Sequence, residues 1–176
     1  RGETTQLDVA ESIMDLARKY KDGAAEAQVC CLIGDISKSQ GKLANAQEAY
    51  GQFLAISKRL AELSLQSSDR QRELSAAYSR VANVLRVQGK LDEARIMCNQ
   101  CLQVLKRLVS QDKNNTSWLR ELALTQGELG DLLLYVDQKA AEKAYGQYLA
   151  ITKRLVDMDP DNATWQEDMA VAYKSM

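Results

Sequence analysis

Apolar residues return along this chain at intervals of three and four, broken by short polar stretches. In the stretch from Leu43 to Leu63, Leu54, Leu60 and Leu63 recur with Ile56 between them, the spacing that lines one face of an α-helix. The alternating β-branched runs that announce strands are missing. The pattern predicts paired helices. First helices fall over 24–39, 70–87 and 117–135, second helices over 43–63, 91–111 and 139–158, and residues 5–20 form one further amphipathic helix. Gly41 and Gly89, each inside a Gln-Gly-Lys triplet, supply tight turns because glycine tolerates a left-handed backbone. The longer connection "DMDPDNATW" ends one helix at Pro160 and offers Asn162 or Thr164 as the cap of the next.

The pattern also repeats in its letters. "AYGQFLAISKRL" from Ala49 and "AYGQYLAITKRL" from Ala144 share ten of twelve residues. A blurred copy, "MCNQCLQVLKRL", starts at Met97 and keeps the glutamine (Gln52, Gln100, Gln147), a leucine (Leu54, Leu102, Leu149) and the Lys-Arg-Leu ending at Leu60, Leu108 and Leu155. Upstream, Gly34-Asp35 returns at Gly130-Asp131, and Trp118 returns at Trp165. The period is 47 to 48 residues, and self-similarity on this scale marks a stack of supersecondary units. The expected divisions are an N-terminal helix over 1–22 that caps the array or ends a preceding repeat, repeats over 23–68, 69–115 and 116–162, and the first helix of a truncated fourth repeat over 163–176.

These residues resemble the tetratricopeptide repeat (TPR) family. A large apolar residue followed by a small one lies midway along each first helix, at Ile33-Gly34, Val81-Ala82 and Leu129-Gly130. A turn glycine follows in two copies. An alanine then opens each second helix at Ala46, Ala94 and Ala141, with an aromatic four residues on at Tyr50 and Tyr145. Small residues let antiparallel helices approach, and the aromatic is expected to fill the wedge toward the next unit. The resemblance implies an all-α fold, a right-handed α-solenoid of antiparallel helix hairpins. This sequence departs from the family in its longer period, in lacking the proline after the aromatic, and in carrying Phe53, Cys101 or Tyr148 where a small residue is usual. It is similar in this to the elongated repeats of large bacterial multidomain proteins.

Composition narrows the function classes. The chain has 176 residues, 45% of them apolar, with one proline and nine glycines, and its 23 basic and 24 acidic residues are spread along its length. No basic face of the kind that phosphate contacts need is evident, so no nucleic-acid partner is expected. No apolar run reaches membrane-spanning length, so no membrane association is expected either. The sequence opens at Arg1 and stops at "VAYKSM" within a helical pattern, which suggests a segment of a longer protein.

The candidate chemistry is thin. Cys98-Asn-Gln-Cys101 has a CxxC spacing, yet Cys98 stands where other copies hold Tyr50 and Tyr145, and Cys101 where they hold Phe53 and Tyr148. Those are packing positions, and a buried cysteine behaves as a small hydrophobe. Cys30 and Cys31 are neighbours that point about 100° apart on a helix, a poor start for a tetrahedral metal site. Four cysteines without an evident disulfide framework suit a reducing, cytoplasmic setting. The sequence contains no histidine, which removes the usual general base. "GKLANAQ" lacks the rest of a phosphate loop. No enzyme activity, cofactor or metal is expected. The Lys-Arg-Leu triplets read as a solvated outer face, with Lys58 facing Glu62 and Lys153 facing Asp157, or as a docking stripe for an acidic partner. Trp118 and Trp165 are expected to pack on the preceding second helix.

In TPR proteins the first helices line a concave groove that receives a peptide or a partner helix. The resemblance implies that Asp35, Asn83 and Asp131 face this groove, with Lys38, Arg86, Leu134 and Tyr135 one turn on and Ser79 one turn before. Asn83 and Arg86 suit a clamp on a terminal carboxylate, but Asp35 and Asp131 on neighbouring rungs would repel one. A mixed-charge helix or strand fits better, the plain alternative being wet surface. Two functions follow from the resemblance. One is a non-catalytic protein-interaction scaffold with a protein or peptide partner. The other is a structural spacer or self-association arm of a larger protein, with end-to-end association through the truncated C-terminal repeat.

Overall fold

In a computed structural model the described residues, 5–176, form eight α-helices and no strand. They are α1 (Gln6–Lys19), α2 (Gly23–Ser39), α3 (Leu43–Leu63), α4 (Ser68–Val87), α5 (Leu91–Gln111), α6 (Thr116–Leu133), α7 (Gln138–Met158) and α8 (Ala163–Lys174). These bounds lie close to those read from apolar spacing. No helix among the described residues is long and apolar enough to cross a membrane.

The helix ends show why. Asn115 Oδ1 accepts the N–H of Trp118 at 3.1 Å, and Asn162 Oδ1 accepts that of Trp165 at 3.2 Å. The two "N-x-x-W" phrases are thus the same cap used twice, which satisfies a backbone donor the helix leaves unpaired. Asn162, not Thr164, is the cap. At the other end, Gly41 and Gly89 sit at φ 73° and 76°. There the N–H of Lys42 donates to Ser37 O, and that of Lys90 to Leu85 O, each at 2.9 Å, the paired-bond ending that a left-handed residue permits. The α1–α2 turn makes the same ending with Lys21 at φ 55°, its neighbour Asp22 donating to Ala17 O.

The chain divides into two compact units, Arg1–Ala94 and Arg95–Met176, with α5 running across the division. In the first unit α2 packs on α3, with α1 against α2 and α4 against α3. In the second, α6 packs on α7 and α8 packs on α7.

Each unit closes one hairpin on a glycine. A Cβ built on Gly34 would lie 2.4 Å from Tyr50 Cε1, and one built on Gly130 would lie 2.4 Å from Tyr145 Cε1. The Cδ1–Cε1 edge of the ring therefore takes the place of the missing side chain of its own hairpin. The aromatic expected in a wedge toward the next unit thus packs closely on its own hairpin. Tyr50 and Tyr145 are buried, as are Phe53, Cys98, Cys101 and Tyr148. The CxxC positions are core positions.

The repeated Lys-Arg-Leu also has packing work. Lys58 Nζ lies 5.2 Å from the centre of the Tyr78 ring, and Lys153 Nζ lies 5.1 Å from that of Tyr173. Each lysine thus reaches the following first helix, and a ring face attracts its charge, in place of the expected pairing with Glu62 or Asp157. Arg154 Nη2 donates to Lys113 O and, at 3.3 Å, to Asn114 Oδ1, holding the connection that leads into α6. Arg59 lies at the matching place, its Nη2 against the start of α2 at Gly23. Leu108 and Leu155 are buried.

Candidate protein-interaction face

The residues singled out in the first unit come together on α2 and α4. Gly34 brings the Tyr50 ring against α2, and the phenol then donates to Asp35 Oδ1 at 2.6 Å. The same carboxylate oxygen meets Arg80 Nη1 on α4 at 3.0 Å. One turn along, Lys38 Nζ donates to Asn83 Oδ1 at 2.6 Å. Two polar links therefore run from α2 to α4. Ser79 is half-buried beside them, and Arg86 is exposed one turn beyond Asn83.

Arg80 was not foreseen. Its signal was its position, one helical turn before Asn83, which places both on one face. Its guanidinium changes the reading of Asp35, which no longer presents an uncompensated negative charge. Both groups keep more than a third of their surface in water, so the pair adds little stability, on the order of 0–1 kcal/mol. Its effect is orientation. Lys38 likewise occupies the Asn83 carbonyl and leaves the Asn83 amide hydrogens available as donors.

The second unit repeats part of this. Tyr145 donates to Asp131 Oδ1 at 2.8 Å. Arg120 on α6 grips Asp168 on α8 with two bonds, Nε to Oδ2 at 2.6 Å and Nη2 to Oδ1 at 3.2 Å. This bond holds the Arg120 proton more firmly than usual. Leu134 and Tyr135 differ from expectation. The first helix ends at Leu133, because Val136 N and Asp137 N both donate to Leu133 O and Asp137 then caps α7. Both residues lie in the turn after α6, and Tyr135 is 93% exposed.

The duplicated glutamines belong to the hairpins. Gln52 Oε1 accepts from Cys30 Sγ at 3.7 Å, and Gln147 Oε1 accepts from Gln126 Nε2 at 2.6 Å. Cys30 and Gln126 occupy corresponding places in their repeats.

Burial sets the titration of the reactive groups. It pushes the Cys30 thiol up and, with the Asp35 charge nearby, the Cys31 thiol as well. Cys101 is pushed up to about 12 by burial. These thiols stay protonated at neutral pH, and a protonated thiol is a poor nucleophile and ligand. Burial, then the bond to Asp131, pushes the Tyr145 phenol up to about 12. Tyr50 is shifted upward by burial and then by Asp35. Among the described residues no group of three or more cysteine and carboxylate side chains is placed to hold a metal.

Residues 27–59, which span most of α2 and α3, match the family model of the tetratricopeptide repeat. Two solved structures share the architecture over nearly the whole chain. BtubC from P. vanneervenii aligns with a TM-score of 0.62 at 17% identity, covering 97% of this chain and 70% of its own. The nearly identical TPR-like repeats attributed to a kinesin light chain of Podosopora anserina align with a TM-score of 0.57 at 13% identity, covering 96% and 76%. No curated protein gives a significant sequence match. The chain is TPR-like, an all-α fold of the solenoid class built from antiparallel helix hairpins. Tetratricopeptide repeats, which residues 27–59 match, generally mediate binding of protein partners.

Proposed function

We propose that the chain is a protein-interaction scaffold that binds a peptide or partner helix along the exposed face of α2 and α4. The supporting observation is the pair of links from α2 to α4, Asp35 to Arg80 and Lys38 to Asn83. They hold four polar side chains in fixed positions on rigid helices, which lowers the ordering cost of binding. Lys38, Ser79, Asn83 and Arg86 make the contacts, with Asp35 held by Tyr50 as the support of Arg80. In the second unit Asp131, Leu134 and Tyr135 are proposed contacts in their own right, Tyr135 as an exposed aromatic anchor. A reducing, cytoplasmic setting suits the four thiols.

The test is a peptide-display selection on the chain, followed by affinity measurement on the variant K38A/N83A/R86A. Retained far-UV circular dichroism establishes that the variant folds. The selected segments are expected to lose about tenfold or more in affinity, the effect of removing one to two good polar contacts. Unchanged affinity would remove this face from consideration.

A second reading, a self-association arm, is favoured by one observation. Val9, Ile13, Leu16 and Tyr20 form an exposed apolar stripe along α1, at the spacing of one helix face. Val171 and Tyr173 on α8 are exposed as well. Sedimentation over a wide concentration range tests it, since a strict monomer would exclude this role.

A further inference from the structure

A cleft of about 240 Å³ opens between α1 and α3 with α2 as its floor. It lies away from the face described above. On α2 its residues Cys30, Ile33 and Ser37 are roughly 140° around the axis from Asp35 and Lys38, at about 100° per residue.

Comparison of the repeats shows why the cleft exists. Where this repeat has Ser37, the next two have Leu85 and Leu133, both buried. Where it has Cys30, they have Tyr78 and Gln126. Two smaller side chains at core positions leave the space. Ser37 is itself 5% exposed and lines the cleft. A hydroxyl in the wall of a cleft can be met by water or by a ligand group. Glu11 on α1 and Glu48 on α3, both exposed, also line the cleft, and the ion pairs Arg70–Glu73, Arg80–Asp35 and Arg120–Asp168 involve neither. Leu7 and Ile33 supply apolar wall.

We propose that this cleft binds a lysine or arginine side chain of a partner protein. The alkyl stem lies against Leu7 and Ile33, and the cation lies between Glu11 and Glu48 with one N–H donated to Ser37 Oγ. An apolar sleeve ending in acceptors is what a basic side chain requires, since its stem prefers burial and its head needs charge and hydrogen bonds. The site is independent of the α2–α4 face, so one partner engaging both would bind with the gain of two linked contacts.

The experiment is an NMR titration of the whole chain with Nα-acetyl-lysine methylamide, its arginine counterpart, and the norleucine derivative as the uncharged control. The lysine or arginine compound is expected to shift the amide signals of Glu11, Ser37 and Glu48, while norleucine leaves them in place. Whichever basic compound binds tells ammonium from guanidinium. Ser37→Leu restores the residue of the other repeats. It is expected to abolish these shifts while raising the unfolding midpoint, which shows that the fold is intact. Glu48→Gln should raise Kd about tenfold. Shifts of equal size with norleucine, no shifts with either basic compound, or unchanged binding in Ser37→Leu would each overturn the proposal.

Discussion

Gly34→Ala adds one methyl group to a helix and, in most helices, would stabilise it. Here the new Cβ would sit 2.4 Å from Tyr50 Cε1 and 2.5 Å from Cδ1, against an ordinary carbon–carbon approach of about 3.5–4.0 Å. The ring must retreat by about 1 Å, but it is buried and its hydroxyl is tied to Asp35. Overpacking of this kind costs about 1–3 kcal/mol, and loosening the phenol bond adds about 1 kcal/mol. Alanine returns about 1 kcal/mol of helix propensity. The net expectation is a loss of about 1–3 kcal/mol. Gly51→Ala and Gly146→Ala are the controls, since a Cβ at either glycine meets nothing within 4 Å, and each should gain about 0.5–1 kcal/mol. The chain also suggests a rescue, because its middle repeat carries Ala82 at the glycine's place and Cys98 at the tyrosine's. In Gly34→Ala/Tyr50→Cys the two losses should fall short of their sum by about 2 kcal/mol. Urea unfolding followed at 222 nm reads these four variants and the single Tyr50→Cys that completes the cycle. A Gly34→Ala protein as stable as Gly51→Ala would refute the reasoning.

Other outcomes follow from the same contacts. The raised phenols of Tyr50 and Tyr145 lose their protons earlier in the unfolded chain, near the ordinary value of about 10. Stability is therefore full below about pH 10 and falls as pH rises through about 12. Thermal unfolding across that range should show the fall, reduced in Tyr145→Phe, and a flat midpoint would contradict it. Arg120→Ala leaves Asp168 without its two-bond partner and should loosen α8 by about 1 kcal/mol, read as about fivefold faster hydrogen exchange in that helix. Lys21→Gly relieves the one left-handed residue among the described residues that is not glycine and should raise stability by about 0.5–1 kcal/mol; a lower unfolding midpoint would count against it.

The helices were legible because their ends are written in short-range chemistry. Asn115 and Asn162 cap, Gly41 and Gly89 turn, and apolar residues recur between them. The α6–α7 turn was less so. One residue is lost there, and only the bonds to the Leu133 carbonyl show that Leu134 and Tyr135 leave the helix. The face on α2 and α4 was half legible. Asp35, Lys38 and Asn83 could be placed by repeat position, but a repeat pattern says which helix face a residue takes and not what its side chain grips. Arg80 therefore escaped notice, and Asp35 looked like an open charge. Lys58 was assigned to Glu62 by spacing alone, whereas the fold offered it the Tyr78 ring on the following helix. The cleft was written in the sequence too, as Ser37 against Leu85 and Leu133. Its meaning needed the third dimension, since a serine for a leucine matters only where the position is buried.

The central claim is that partner recognition lies on the first-helix face and that the Lys-Arg-Leu positions serve packing. The most direct measurement is a chemical-shift map of the chain bound to a segment obtained by display selection. The account predicts perturbations centred on Lys38, Ser79, Asn83 and Arg86. Perturbations centred on Lys58, Arg59, Lys153 and Arg154, with α2 and α4 unmoved, would contradict it.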